Sequence, residues 1–415
     1  MSEGPVRLAA IGLGNRARKY LKYVREHPGE ATVVSLVEPN PELLKEMKAV
    51  YGLCAKDCFS SCEDFFKKKR NVDALIIATP DETHYDITMK AIGYGYHCLL
   101  EKPIANDERE CQELVEAARL HDVIVCVCYV LRYHPYYLKI KSILDSGELG
   151  PIVSANHVEN VGLDRMTHSY VRGIFSNAGQ SSPIILSKCS HDIDLLIWLL
   201  GKTPRKVASF GHLNWFREEN APKGSTARCV DCPVEERCPF SAVDLYERRR
   251  DWISNFVVPE GETIDSAIRR ELEEGRYGRC VYRCDNDVVD HQVVAMEMED
   301  GVDVSLTMEA LTRKDERVTQ INCAYGEILA NGQTITVTRF RPARQEVFDF
   351  KEINKKPLHA NADLKIVEDF LMAVRDPLNH KVRCSIGDAL ESHLVCFKAE
   401  EARLNGKVSR VKGLR

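Results

Sequence analysis

Short apolar runs alternate with amphipathic stretches through the first third of the chain. The apolar runs lie at residues 6–11, 32–37, 72–79, 97–100 and 123–129. The stretches between them have helical periodicity, at residues 18–26, 41–51, 84–93 and 107–121. Alternation of buried strands with helices predicts parallel strands joined by crossover helices. We therefore expect a doubly wound α/β domain over residues 1–130.

The rest of the chain has a different periodicity. Apolar and polar residues alternate at 152–161, 206–213, 289–299, 302–310, 317–324 and 326–338, which predicts long strands of an open, largely antiparallel sheet. Helices are predicted at 136–146, 183–200, 363–375 and 387–404. We expect residues 131–415 to form an α+β domain for substrate binding and oligomerisation, with an irregular cysteine-rich insert at about 215–287.

The composition is that of an ordinary globular protein and narrows the function classes. The chain has 415 residues, 44% apolar and 29% charged, with a formal net charge of −5. This charge balance does not favour nucleic acid or a membrane surface as a binding partner. No apolar run approaches the ~20 residues that a membrane-spanning helix needs. The N-terminus has no apolar signal core, so a cytoplasmic location is expected.

A glycine-rich turn directly follows the first strand. It reads Gly12-x-Gly14-x-x-Ala17, and Glu38 ends the next apolar run 21 residues after Ala17. The glycines allow a tight turn and close approach to a pyrophosphate, and the following helix N-terminus attracts it. The arrangement predicts a dinucleotide site; the alternative is a glycine-rich turn with no ligand.

Glu38 favours one cofactor over the other. A carboxylate there pairs with a free ribose 2′-hydroxyl and repels a 2′-phosphate, so NAD is preferred to NADP. Asn15 and Arg16 lie within the turn and are predicted cofactor contacts. Arg16 and Arg18 could instead bind a phosphate, which leaves NADP as the less favoured alternative.

Several segments in order resemble the Gfo/Idh/MocA oxidoreductases. They are Ala78-Thr-Pro-Asp-Glu-Thr-His84, Glu101-Lys102-Pro103, Arg132-Tyr-His-Pro135, His191-Asp-Ile-Asp194 and Ser392-His with the following Ala-Glu-Glu-Ala-Arg403. The resemblance implies a Rossmann domain and an α/β domain whose open sheet often serves oligomerisation. It also implies a substrate between the two domains, over the nicotinamide.

The resemblance also assigns residues around the cofactor. The loop with Thr79, Pro80, Asp81 and His84 is implied to lie close to it. Glu101 and Lys102 are implied to border both the nicotinamide and the substrate.

Lys102 is the first candidate for proton transfer. It leaves the C-terminal end of a predicted parallel strand, where open α/β sheets bind ligands. Partial burial beside an oxidised nicotinamide should lower its pKa and make it a proton acceptor. The alternative is a surface lysine after a strand.

The helix predicted at 183–200 carries a second pair of candidates. Lys188 and His191 lie three residues apart and share a face. The family pattern has an acid four residues before the histidine, where this chain has Ser187. Lys188 and His191 could share acid–base work, or Lys188 could bind an anionic substrate group; a satisfied core histidine is the alternative. Asp194 is expected to orient the helix.

A polar loop follows the first strand of the second sheet. Its candidate substrate ligands are His168, Tyr170, Arg172 and Asn177, and Arg172 could clamp an acidic sugar. A solvated loop is the equally weighted alternative.

Five of the sixteen cysteines cluster in the insert. Cys229, Cys232, Cys238 and Cys280 are the preferred ligands of a structural zinc, with Cys284 as the alternate fourth. Such an ion would hold together an insert without its own core. An iron–sulfur cluster, free thiols and disulfides remain alternatives.

Three functions follow from these sites. The first is NAD-dependent oxidation or reduction of a carbinol of a sugar, sugar derivative or cyclitol. The second is NAD-assisted glycoside hydrolysis or elimination through a keto-sugar. The third is a non-catalytic NAD- and sugar-binding sensor. Retention of Lys102 and His191 argues against the third, and the open sheet predicts a homodimer or homotetramer.

Overall fold

Two β-sheets organise the chain. The computed structural model describes residues 4–256, 258, 261–354 and 357–411. The first sheet has six strands in the order β3-β2-β1-β4-β5-β6, and every pairing is parallel. These strands are β1 Val6–Ile11, β2 Ala31–Val37, β3 Cys58–Phe59, β4 Ala74–Ile77, β5 His97–Leu100 and β6 Val125–Val127. The predicted doubly wound domain is confirmed.

Helices cover both faces of this sheet, which explains its nearly continuous apolar strands. The helices are α1 Asn15–Glu26, α2 Pro41–Val50, α3 Cys62–Phe66, α4 His84–Gly93 and α5 Glu108–Leu120. All four residues of β4 are buried, as expected for a strand covered on both sides. Asn40 starts α2 by accepting hydrogen bonds from the main-chain N–H groups of Glu42 and Leu43.

The second sheet is open and has nine strands. Its order is β14-β13-β12-β11-β7-β10-β9-β8-β15, and β7–β10 is the parallel pair in an otherwise antiparallel sheet. The strands are β7 Ile152–Asn160, β8 Pro204–His212, β9 His291–Met298, β10 Asp303–Glu309, β11 Glu316–Cys323, β12 Gly326–Ala330, β13 Thr334–Arg339, β14 Arg344–Asp349 and β15 Ser409–Arg410. The predicted largely antiparallel sheet is confirmed.

One predicted strand is two strands in the structure. The alternation over 326–338 is interrupted by a turn at Asn331 and Gly332, where Gly332 has φ +80°. The Asn331 side chain accepts hydrogen bonds from the N–H groups of Gln333 and Thr334, which fixes the turn. A hairpin therefore replaces the single long strand.

The helices of the second half connect its sheet to the first domain. They are α6 Pro135–Asp145, α7 Leu163–Arg165, α8 Ile184–Ser187, α9 Ser190–Leu200, α10 Ile264–Glu273, α11 Lys351–Asn354, α12 Pro357–Arg375 and α13 Ile386–Asn405. The helix predicted at 183–200 is broken between α8 and α9, because Lys188 leaves the regular helical conformation. Gly201 ends α9 in the left-handed conformation.

The last two helices return to the Rossmann sheet. Phe370 of α12 packs in one apolar cluster with Leu8 and Tyr20, and Leu390 of α13 packs in another with Leu100. The apolar cores therefore cross the boundary predicted at residue 130. This packing brings C-terminal residues next to the glycine-rich turn.

The insert has an apolar core of its own. This cluster comprises Cys229, Ala242, Leu245, Tyr246, Phe256, Ile268 and Leu272. The expectation of a coreless insert is wrong, because these apolar residues are spaced irregularly among charged ones and give no periodic signal.

A helix must be both long and apolar to span a membrane. Within the described ranges, none is both long and apolar enough to cross a bilayer.

Candidate active site

A cleft of about 1610 Å³ lies where the two parts of the chain face each other. The carboxyl ends of the Rossmann strands form one side, and the segment from α7 to α9 with part of the insert forms the other. The predicted site residues that line it are Gly12, Gly14, Asn15, Arg16, Glu38, Thr79, Pro80, Glu101, Lys102, Tyr170, Lys188 and His191. The geometry thus brings the predicted cofactor turn and both proton-transfer candidates to one cavity.

The glycine-rich turn leaves room for a phosphate group. Gly12 has φ +78°, and a Cβ there would lie 2.6 Å from the Ala78 carbonyl oxygen, so a larger residue would clash. A Cβ on Gly14 would meet no atom within 4 Å. The helix α1 starts without a side-chain cap, which leaves its first N–H groups for an anion. The turn fits a dinucleotide, although buried Ala17 does not line the cleft.

The Glu38 carboxylate is held in place by the main chain. It accepts hydrogen bonds from Leu13 N–H at 2.8 Å and Asn40 N–H at 3.0 Å. The side chain is only 9% exposed and still lines the cleft. A fixed carboxylate at the end of β2 is suited to binding ribose hydroxyls.

The two arginines near the turn are already paired. Arg16 binds Glu101 at 2.5 Å and buried Asp363 at 2.8 Å, and Arg18 binds Glu46 at 2.6 Å. Burial alone would raise the pKa of Glu101, but the Arg16 charge and hydrogen bond lower it below its usual value. Arg16 therefore positions Glu101 and α12, and neither arginine is free for a 2′-phosphate.

Lys102 extends from the end of β5 across the cleft. Its Nζ donates a hydrogen bond to the Ser187 carbonyl oxygen at 2.6 Å. Burial lowers the pKa of Lys102 below its usual value, Lys188 and Arg16 lower it further, and Asp81 and Glu101 oppose the shift. A lysine in this state can release and accept a proton near neutral pH more easily than an exposed one.

His191 faces the same cavity from the first turn of α9. Its ring meets the Tyr129 ring edge to face at 5.3 Å, and its Nδ1 is buried without a hydrogen-bond partner among the described residues. Burial together with the Lys102 charge lowers the pKa of His191 well below its usual value. The imidazole is therefore neutral at physiological pH, and the residue lines the cavity.

Lys188 lies at the base of the cleft in a network of buried charges. Its Nζ lies 2.5 Å from Glu159 and 3.7 Å from Asp315. Arg317 contacts Glu159 at 2.9 Å and Asp192 at 2.6 Å. Because its charge is balanced inside the protein, Lys188 fits a positioning role better than binding of an anionic substrate group.

Of the four substrate ligands predicted in the polar loop, Tyr170 lines the cleft. The segment Met166–Arg172 is a π-helix, and it turns Tyr170 toward the cavity while His168 and Arg172 point into the insert. Arg172 is completely buried and donates to the carbonyl oxygens of Phe240 at 2.7 Å and Arg279 at 2.8 Å. The prediction that Arg172 clamps an acidic sugar is wrong, because residue type alone does not give side-chain direction.

Two more predicted ligands have structural contacts instead. Asn177 accepts hydrogen bonds from the N–H groups of Gly179 and Gln180 and does not line the cleft. His84 is fully buried, with Nδ1 2.6 Å from the Pro103 carbonyl oxygen and Nε2 3.0 Å from that of Thr79. His84 thereby joins the loops after β4 and β5.

Asp194 fixes the position of α9 through a buried ion pair with Arg132. Its two oxygens accept hydrogen bonds from Arg132 Nε at 2.9 Å and Nη2 at 2.7 Å. This buried bidentate pair fixes the helix that carries His191, which is the orienting contact expected from the sequence.

Sequence comparisons identify the family. A family model described as the oxidoreductase family with an NAD-binding Rossmann fold matches residues 6–129. The GFO/IDH/MocA C-terminal domain model matches residues 137–239. The chain belongs to the Gfo/Idh/MocA oxidoreductase family. The resemblance found in the sequence is confirmed.

Curated members of the family include dehydrogenases and a hydratase. The Bacillus subtilis protein named oxidoreductase YteT is 23% identical over 76% of this chain and 76% of its own length. The NAD(+)-dependent scyllo-inositol 2-dehydrogenase of Bacillus subtilis is 30% identical over 52% of this chain and 61% of its length. The 2,7-anhydro-N-acetylneuraminate hydratase of Mediterraneibacter gnavus is 24% identical over 49% and 51%. Alignments with the inositol dehydrogenases span 36–61% of those proteins.

Solved structures of family members share the whole fold. An oxidoreductase domain protein from Kribbella flavida has a TM-score of 0.72 at 13% identity, covering 99% of this chain and 100% of the other. An Agrobacterium radiobacter oxidoreductase, solved with NAD+, L-tartaric acid and magnesium, has a TM-score of 0.70 at 15% identity and covers 98% of each chain. The two-part architecture is therefore that of Gfo/Idh/MocA oxidoreductases.

Several cleft residues of this family member were missed by the sequence patterns. They are Lys19, Arg165, Ser169, Trp252, Arg276, Asp315 and Arg317. Trp252 and Arg276 come from the irregular insert, where neither spacing nor a motif marks them. Long-range contacts place them at the cleft, so no local signal could have found them.

The structure does not support the metal site predicted for the insert cysteines. Cys229, Cys232, Cys238 and Cys280 line a separate cavity of about 20 Å³, and Cys284 does not. Over the ranges that the structure describes, no three histidine, cysteine or carboxylate side chains are grouped as metal ligands. The zinc prediction is not supported, and the apolar cluster of the insert supplies its cohesion.

Proposed function

We propose that the protein is an NAD-dependent oxidoreductase that transfers hydride between the nicotinamide and a carbinol of a sugar, sugar derivative or cyclitol. The observation that carries this proposal is the convergence of Lys102 and His191, from two different domains, on the cleft that also contains the dinucleotide turn. The inositol dehydrogenases among the relatives support the substrate class.

Each proposed role follows from the state of the side chain. Lys102, with its lowered pKa, takes the proton of the substrate hydroxyl as the C–H bond is broken. Neutral His191 hydrogen-bonds the same or the neighbouring hydroxyl and orients it. Bound NAD supplies the hydride acceptor.

The cofactor preference rests on Glu38. Its carboxylate is fixed by two main-chain N–H groups and would repel a 2′-phosphate. Since Arg16 and Arg18 are paired with carboxylates, no arginine of the turn is free to compensate. We therefore propose NAD rather than NADP.

A second candidate is NAD-assisted glycoside cleavage or elimination through a keto-sugar. The hydratase among the relatives favours it, because that name describes a reaction without net oxidation. The same Lys102 and His191 would serve both reactions. A purely sensory role is less well supported, because it would not require two proton-transfer groups in the cleft.

We also propose that the protein forms homodimers or homotetramers through the open sheet. Phe210, Val293, Leu329 and Val347 project from the same face, and each is more than 40% exposed. Unpaired apolar side chains in such a row favour burial against a second copy. Light scattering of purified protein tests this: a monomer at micromolar concentration would refute it.

The cytoplasmic location is proposed because all sixteen cysteines are free, as expected in a reducing compartment. Zinc forms no part of the proposal.

The test of the function is absorbance at 340 nm with NAD and a panel of free sugars, sugar acids, cyclitols and glycosides. A steady rise with a free sugar or cyclitol is expected. Glycoside cleavage that requires NAD without such a rise would instead support the keto-sugar route. Neither change, with cofactor binding intact, would overturn both catalytic proposals.

A further inference from the structure

The insert contributes its own wall to the cleft. Trp252 and Arg276 line the same cavity as Lys188 and His191, although they are far from them in sequence. The cavity, at about 1610 Å³, exceeds the roughly 300–1,000 Å³ of a single small-molecule site. A dinucleotide and a substituted sugar can therefore occupy it together, with the insert wall facing the second ligand.

Trp252 is held rigidly with part of its side chain exposed to the cleft. Its backbone has φ +62°, a conformation that tryptophan adopts only when its surroundings enforce it. The ring stacks on His168 at 5.0 Å, and the Arg165 guanidinium lies 5.0 Å from its centroid. A fixed, partly exposed indole offers a flat apolar surface to a ligand ring.

The contacts behind Trp252 make the wall stiff. His168 also stacks on Tyr277 at 4.6 Å with the rings 7° from parallel. Asp164 binds Arg249 through two hydrogen bonds of 2.8 Å, which joins the insert to α7. The wall is therefore preorganised, so its side chains lose little conformational entropy when a ligand binds.

Two cations at the cleft lack ion-pair partners. Arg276 is exposed beside Tyr277, and Lys19 lies on α1; neither has a carboxylate within 4 Å among the described residues. Burial lowers the pKa of Lys19, the charges of Arg16 and Arg165 lower it further, and those of Asp363 and Glu101 oppose the shift. An anionic group on the ligand would relieve this repulsion.

We propose that the insert forms a subsite for a sugar ring that carries an anionic group, with the ring stacked on Trp252 and the carboxylate or phosphate bound by Arg276. This inference rests on the proposed function, since the oxidised carbinol would lie at Lys102 and His191. It deepens that function by naming an acidic sugar as the substrate class.

Tryptophan fluorescence tests the subsite without catalysis. The three tryptophans are Trp198, Trp215 and Trp252. The NAD-loaded protein is titrated with D-glucuronate, D-galacturonate and glucose 6-phosphate, and with D-glucose and D-galactose as neutral counterparts. We expect at least one acidic sugar to quench fluorescence and to bind about tenfold or more tightly than its neutral counterpart.

Matched variants assign the signal to residues. Trp252→Phe should abolish the quench and weaken binding, whereas Trp215→Phe, in the same insert but outside the cleft, should keep both. Arg276→Gln should weaken acidic sugars about tenfold without changing neutral ones. Arg269→Gln removes an exposed charge of the same insert away from the cleft and should have no effect.

Four outcomes would overturn the subsite. They are equal affinity for neutral and acidic sugars, no response to any acidic sugar, identical behaviour of the two tryptophan variants, and an equal loss in Arg269→Gln. A fall in NAD affinity in Arg276→Gln, measured on the sugar-free protein, would assign the cation to the cofactor and also overturn it. Acidic-sugar binding without NADH formation would support the subsite while the dehydrogenase proposal fails.

Discussion

The replacement of the family acid by Ser187 changes the surroundings of Lys102. A carboxylate at that position would stabilise the ammonium form, whereas the Ser187 side chain carries no charge and donates to the Pro183 carbonyl oxygen at 3.3 Å. Lys102 Nζ donates to the main-chain carbonyl oxygen of Ser187 at 2.6 Å. A neutral carbonyl holds the proton less strongly than a carboxylate. Asp81 and Glu101 are the acids beside the lysine, and burial raises the pKa of Asp81. Lys102 is therefore a stronger candidate for a base than the family pattern alone would suggest.

Replacing Lys102 by arginine should remove the base and keep the positive charge. Arginine does not release its proton in this pH range, so we expect kcat/KM to fall about 10²- to 10⁴-fold while NAD affinity stays within about threefold. In the wild type, kcat/KM should rise with pH and level off above the lowered pKa of Lys102. Steady-state kinetics from pH 6 to 10 measure both effects, and near-normal turnover by Lys102→Arg would exclude Lys102 as the base.

An acid at position 187, where the family pattern has one, should raise the pKa of Lys102 and so tests the same site from the other direction. Ser187→Asp places a negative charge near Lys102, which raises its pKa and shifts the rise of kcat/KM to higher pH by about one unit. Activity at pH 7 should fall as a result. Ser187→Asn is the neutral control and should leave the profile in place. An unshifted profile in Ser187→Asp would mean that Lys102 does not control the rate.

At the scale of elements, the insert is positioned by the π-helical segment before it. Arg172 reaches from this segment to two separate parts of the insert, at Phe240 and Arg279. Its guanidinium also lies 3.8 Å from the Cys229 sulfur. A single side chain thus joins the substrate-side segment to both ends of the insert fold.

Arg172→Met should loosen the insert without unfolding the Rossmann sheet. Two carbonyl oxygens would lose their donor, at about 1–3 kcal/mol each, so we expect a loss of about 2–6 kcal/mol in local stability. Hydrogen exchange should increase within residues 215–287. Arg250→Met, which removes an exposed ion pair with Asp265 within the same insert, should cost under about 1 kcal/mol. Equal exchange in the two variants would contradict the anchoring role.

The elements that sequence could predict are those with a regular burial pattern. The strands β1, β2 and β4 were predictable because burial on both faces demands uninterrupted apolar residues. Glu38 and Lys102 were predictable because strand ends in such a sheet point to one edge. Trp252 was not, since its position depends on stacking with His168 and not on any spacing along the chain.

At the scale of the whole molecule, the C-terminal helix α13 supports the loop that carries Lys102. His393 Nε2 accepts a hydrogen bond from Ile104 N–H at 2.9 Å, and Nδ1 lies 2.8 Å from the Ala389 carbonyl oxygen. The neutral ring satisfies both contacts, because one nitrogen accepts and the other donates. A protonated ring would direct a second N–H at that of Ile104, so the contact between the two parts of the chain requires neutral His393.

This requirement makes stability depend on pH in a defined range. Burial lowers the pKa of His393 to about 4, below the value near 6.5 of an unfolded histidine. Between these values the unfolded chain holds the proton and the folded chain does not. The free energy of unfolding should therefore fall by up to about 3 kcal/mol from this group as the pH drops from 6.5 to 4, and the contribution is complete above pH 6.5.

His393→Gln isolates this contribution. Its amide oxygen can accept the Ile104 N–H bond, but the side chain does not titrate. Burial also lowers the pKa values of His168, His191 and His97, so the test lies in the difference: near pH 5 the variant should take up about one proton fewer on unfolding than the wild type. Urea unfolding at pH 7, 6, 5.5 and 5 gives both slopes. Parallel slopes would show that His393 does not link the C-terminal helix to the Lys102 loop through its protonation state.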